Sequence, residues 1–225
     1  MSKPMFDAEA LIAQFQNATA KQGEQLRAAT SQALLASLQG RELTLKNIRA
    51  ALKQVADAAS TGLAKNVTAG VDPEALLDKA VAGLDDAMLK AVEANRMALS
   101  TLNAQGADLR EKHLAKAIDD LEKIEDTMFA AMKKAAEGAA APMAGAWGQV
   151  LEKMQAGGTL SGAQAATTAE QMAEQMQAAV RTSRAASLKA AQALAESYTA
   201  MVSGVLLGMS DALQSGSTAK KTAKK

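Results

Sequence analysis

Residues 70–109 read GVDPEALLDKAVAGLDDAMLKAVEANRMALSTLNAQGADL. Asp72, Pro73 and Glu74 form a helix start. The aspartate side chain can accept from an unpaired N–H, the proline has its φ set for the first helical position, and the glutamate suits the positive end of the helix dipole. Behind them Leu77, Val81, Leu84, Met88, Ala91, Asn95, Ala98, Leu102, Gln105 and Leu109 alternate in steps of four and three. That period lines one face of a long α-helix and excludes a strand, whose faces alternate every second residue. After an offset the stripe resumes at Leu114, Ala117, Leu121, Ile124 and Met128. If Gly106 does not turn the chain, residues 72–137 form one helix of roughly 100 Å, at ~1.5 Å per residue. Leu77, Val81, Leu84, Met88, Asn95 and Leu102 are the expected oligomer seam. Asn95, its polar member, either sets register or oligomeric state or sits at a solvated edge.

Working outward, residues 1–71 read as an N-terminal helical segment. Asp7 is placed to cap its first helix, with Phe6 stapled on Leu11. Leu11, Phe15, Leu26, Leu34 and Leu38 follow, with Gly23 a weak point and Gly40 a break or bend. Leu45, Ile48, Leu52, Val55 and Ala59 then give a second stripe of three-four steps. Residues 138–162 are small-residue linker around Pro142, with a short helix carrying Trp147, Val150, Leu151 and Met154. Residues 163–214 read as a final helix with stripes at Met172, Met176 and Val180, then at Leu194, Tyr198, Met201, Val205 and Met209. Residues 215–225 form a low-complexity basic tail, expected to be disordered. The expected fold class is all-α: an elongated bundle of long, coiled-coil-like helices ending in that tail.

Composition supports long, thin helix packing. Alanine supplies 54 of the 225 residues, while Leu, Ile, Val and Phe together number 41, so helix propensity is high and bulky core material scarce. The net charge is +1, and four lysines fall in the last six residues, which leaves residues 1–219 at −3. A near-neutral body argues against a generally basic nucleic-acid binder. The absence of cysteine excludes disulfides, thiolate nucleophiles and zinc–thiolate sites. The start MSKPMFDAEAL has no long apolar run of the secretory type, and Thr199 to Met209 is too short to span a bilayer, which needs about 20 apolar residues. A cytoplasmic protein with no transmembrane span is expected.

Catalytic signatures are missing. The single histidine, His113, lies in REKHLAK, a charged helical stretch with no nucleophile arranged beside it. The acids Asp119, Asp120, Glu122, Glu125 and Asp126 lack a Glu-x-x-His partner motif, and Lys112, Lys116 and Lys123 lie at salt-bridge spacing from several of them. No phosphate-binding or dinucleotide-binding glycine pattern occurs. The expectation is no enzyme activity, no cofactor and no metal.

The end of the chain is the informative part. Thr199 to Met209 carries no charge, and Gly204 and Gly208 form a G-x-x-x-G pair that permits close helix approach. Met201, Val205, Leu206 and Met209 are the candidate contacts for a hydrophobic surface or partner. The alternative is packing within the protein's own bundle. Lys220, Lys221, Lys224 and Lys225 are candidate polyanion contacts, with weak nucleic-acid binding as one outcome and a simple solubilising tag as the other.

An Ala-rich, Cys-free, nearly all-helical chain of this length ending STAKKTAKK, Ser217 to Lys225, resembles the phasins. Those are bacterial proteins that coat polyhydroxyalkanoate storage granules. The resemblance covers most of the chain, but in composition, helix pattern and tail, not in a motif, so no binding residue is carried over. It implies a non-catalytic, granule-associated helical protein that self-associates and presents amphipathic helix to the polymer. Several members have Ala/Lys/Thr-rich tails, some of them DNA-binding. A coiled-coil scaffold and a nucleoid-associated protein led by its lysine tail are the rival readings.

Overall fold

Asp7 opens the first helix as expected, its carboxylate accepting from the Ala10 N–H at 3.0 Å. The computed structural model of the chain describes residues 7–39, 43–104, 111–182 and 197–209. Phe6, Gly40, Gly106 and the four tail lysines lie outside them. Helices α1 (Ala8–Gln16), α2 (Gly23–Leu38), α3 (Leu45–Ala64), α4 (Pro73–Ala104), α5 (Glu111–Glu122), α6 (Ile124–Glu137), α7 (Ala144–Gly157) and α8 (Leu160–Thr182) follow in order. Residues 197–209 are helical too, and the described residues contain no strand. The protein is all-α.

Local chemistry sets the helix ends. Asn17 stops α1 by donating its amide to the Ala13 carbonyl at 2.9 Å. Thr19 and Gln22 then close a turn, the Gln22 side chain accepting from the Thr19 N–H at 2.8 Å. The break near Gly23 is therefore a full restart, signalled by the Thr-x-x-Gln spacing. Thr44 caps α3 by accepting from the Asn47 N–H at 3.2 Å. Asp72 accepts from the Glu74 N–H at 3.0 Å, with Pro73 first in α4.

The 72–137 segment is not one helix. An interruption falls at Lys123, between α5 and α6, while residues 105–110, between α4 and α5, lie outside the described residues. The apolar stripe survives the interruption: Leu121, Ile124 and Met128 are all buried. α7 begins at Ala144 and buries Trp147 and Val150, so the expected linker is mostly helix. Gly158, with φ at +65°, turns the chain into α8, a conformation that favours glycine.

α4, about 48 Å long at ~1.5 Å per residue, is the axis of the packing. It touches α2, α3, α7 and α8, with α2 the most extensive neighbour. Glu24 pairs with Lys79, and Arg27 forms a two-pronged bridge to Asp86 at 2.6 and 2.8 Å, so α2 and α4 run in the same direction. Gly83 lets them touch, because a Cβ there would overlap the Arg27 carbonyl.

This arrangement corrects the seam. Leu77, Val81, Leu84, Met88, Ala91 and Ala98 are buried as the period requires, but so are Leu76, Ala80, Ala87, Val92, Ala94 and Leu99. Burial wraps around α4 because several helices of the same chain cover it. Leu77, Val81, Leu84 and Met88 are thus spent on intramolecular core and offer no surface to a second copy. The Leu102 side chain falls outside the described residues.

Candidate functional site

The helical stretch 197–209, SYTAMVSGVLLGM, contains no charged residue. It lies on the body through Val202 and Leu206, which are 3% and 0% exposed and join the main core. Tyr198, Met201 and Val205 are half-buried and pack on the margin of that core. Met209 is half-buried as well. The buried edge is therefore centred one residue past the Met201–Val205 stripe read from spacing. Leu206, expected at an outer surface, is an inward core residue, because the positions four apart that face the body are 202 and 206.

A polar link to α4 crosses this seat. The Tyr198 hydroxyl donates to Oδ1 of Asn95 on α4. Asn95 therefore pairs within the chain and fixes where the stretch sits on α4. Burial, and then the nearby carboxylate of Asp120 on α5, raise the Tyr198 phenol above its usual range, so it stays a neutral donor at all physiological pH.

The opposite side is open. Ala200, Gly204, Leu207 and Gly208 are exposed, Leu207 at 45%. A Cβ added at Gly204 or Gly208 would meet nothing within 4 Å. No described helix makes a close approach to the G-x-x-x-G pair there. Glycines that do mediate close approaches include Gly62, against α1, Gly83, against α2, and Gly162, against Glu125 on α6.

Elsewhere the polar groups serve the fold. Several acids of α5 and α6 are engaged: Lys116 bonds Asp120 at 2.7 Å and Lys123 bonds Asp119 at 2.6 Å. Glu125 accepts from the Thr159 N–H at 2.9 Å. Asp85 on α4 accepts from the Leu160 and Ser161 N–H groups, both at 2.9 Å. These two carboxylates seat the start of α8, where N–H groups lack helical partners. No local spacing announced that role, since both partners are distant in sequence. Trp147 on α7 donates to Ser60 on α3 at 3.1 Å, a buried bond. Beside Ser60 a shallow groove of about 550 Å³ is lined by Lys53, Asp57, Lys65 and small residues from the end of α6. Among the described residues no three His, Cys, Asp or Glu side chains are placed to hold a metal. The His113 side chain lies outside them. No helix among the described residues is long and apolar enough to cross a membrane.

A family model matches residues 1–215. The chain belongs to DUF6781, a family of unknown function. No curated protein and no solved structure matches it. The DUF6781 match takes in the whole bundle and the 197–209 stretch. Lys220, Lys221, Lys224 and Lys225 lie beyond it.

Proposed function

We propose that this protein is a non-catalytic, phasin-like coat that lays its 197–209 helix on a hydrophobic intracellular body such as a polyhydroxyalkanoate granule. The observation that supports the reading is the charge-free circumference of that helix. Its inner side buries Val202 and Leu206, and its outer side shows Leu207 between two glycines. A helix on a water-facing surface ordinarily carries charge on its solvent side, and one that is apolar all round is normally covered. The resemblance to phasins in composition and tail points to a polymer surface as the cover. Self-association, if part of this function, must use a surface other than the four buried seam residues Leu77, Val81, Leu84 and Met88. The lysine tail is assigned the water side, where it meets polyanions.

Imaging a fluorescent fusion in cells with and without storage granules tests the reading. The fusion is expected on granules, and it stays there when Ser217–Lys225 is deleted. A diffuse signal in granule-rich cells refutes the function. Loss of granule binding on deleting the tail alone moves the contact from the helix to the lysines.

A further inference from the structure

We propose that the 197–209 helix is a strap that leaves its seat on the body to meet a hydrophobic surface, with the Tyr198–Asn95 hydrogen bond as the latch. The inference deepens the function proposed above and rests on it. It follows from where the apolar side chains point. The outward side offers Ala200, Gly204 and Gly208, which have almost no side chain, and the partly exposed Leu207. The side chains able to hold an apolar surface are Val202 and Leu206, both inside the core, flanked by Met201, Val205 and Met209. The surface and the body therefore compete for the same residues.

That competition is close to balanced for the aliphatic groups. Val202 and Leu206 pass from one water-free environment to another, and burial energy follows the area kept from water rather than the identity of the cover. The Tyr198–Asn95 bond is different, because it must part before the strap can lift from α4. Parting the pair leaves a donor and an acceptor to be satisfied by water, which sets a threshold against release. With the phenol held neutral by burial and by Asp120, the latch does not loosen in the physiological pH range. Release then depends on the presence of the surface, and the apolar side chains stay covered until it is met.

Tyr198→Phe removes the latch and keeps the ring. Cysteines replacing Asn95 and Tyr198 are unique in this Cys-free chain, and a short bismaleimide across them ties the strap down. The probe is flotation with hexadecane-in-water droplets, and hydrogen exchange of 197–209 is followed with no droplets present. Exchange in α3 and α4 serves as the check on folding. Tyr198→Phe is expected to speed exchange of 197–209 and to strengthen droplet binding by roughly 2- to 13-fold, the loss of one part-buried hydrogen bond. The tied protein is expected to stay in solution, and Leu207→Asp, on the outward side, to bind as the parent does. Unchanged strap exchange in Tyr198→Phe overturns the latch. Full droplet binding by the tied protein, or its loss in Leu207→Asp, overturns the release and leaves surface binding through the outward side. Failure of parent and Tyr198→Phe alike to float overturns the surface reading and the release with it.

Discussion

Gly83→Ala tests the packing of α2 on α4 with a single methyl group. The added Cβ would overlap the Arg27 carbonyl oxygen and lie 3.0 Å from its carbon and 3.1 Å from Thr30 Cβ. The first two are backbone atoms, so no rotamer change relieves the overlap. The helices must part by about 1 Å, a gap that forfeits about a quarter to a half of the dispersion energy between facing atoms. Overpacking of this kind costs ~1–3 kcal/mol. Alanine returns about 1 kcal/mol of helix propensity. Because the obstacle is rigid, the expected net loss is about 2 kcal/mol. For a chain of this size that lowers the melting temperature by roughly 4–8 °C. Gly148→Ala in α7, where a Cβ meets nothing within 4 Å, is the matched control and should melt slightly higher than the parent. Thermal unfolding followed by circular dichroism reads both. A Gly83→Ala protein melting at or above the parent would mean that α2 and α4 do not touch at this point.

Three further outcomes follow from the buried bonds and ion pairs. Trp147→Phe leaves the Ser60 hydroxyl without its indole partner and should cost ~1–3 kcal/mol, measured by denaturant titration. Asp85→Asn weakens the seat of α8 by about 1 kcal/mol, and hydrogen exchange should rise at Leu160 and Ser161 before it rises in α3. Glu93 is held below its usual pKa first by the hydrogen bond from Arg96, offset in part by desolvation. Its stabilisation is complete above the unfolded carboxylate value of about 4.3 and is lost as pH falls through the lower folded value. Arg96→Ala should therefore lower the melting temperature slightly at pH 6 and above, flatten the acid side of the stability–pH curve, and match the parent once pH is below the folded value.

Helix type and the main starts were legible because their causes are local. Asp7 and the Asp72–Pro73–Glu74 triplet cap or open helices through atoms within three residues. The α3 stripe from Ile48 to Ala59 is buried as its spacing demands. What spacing could not supply is which partner covers a face. A seam of fours and threes reads the same whether a second chain or α2 lies on it, and α4 is wrapped by its own chain. The same limit displaced the contact face of the final helix, since an uncharged stretch gives no polar side from which to orient it. Asp85 and Glu125 look like ordinary surface acids until the start of α8, far along the sequence, is brought to them. The salt-bridged reading of α5 succeeded because Lys116–Asp120 and Asp119–Lys123 are four residues apart and need no tertiary information.

The seating of α8 also bears on the order of assembly during synthesis. Its first turn is held by Asp85 from α4 and Glu125 from α6, both made well before Leu160 leaves the ribosome. Its unpaired N–H groups have receptors only once α4 and α6 are both in place on α3, with Met128 positioned to take the Ser161 hydroxyl. The start of α8 thus reads the placement of two helices at once: it closes only where α3 holds α4 and α6 in register, and a chain that has misplaced either is left with an open N-terminal turn.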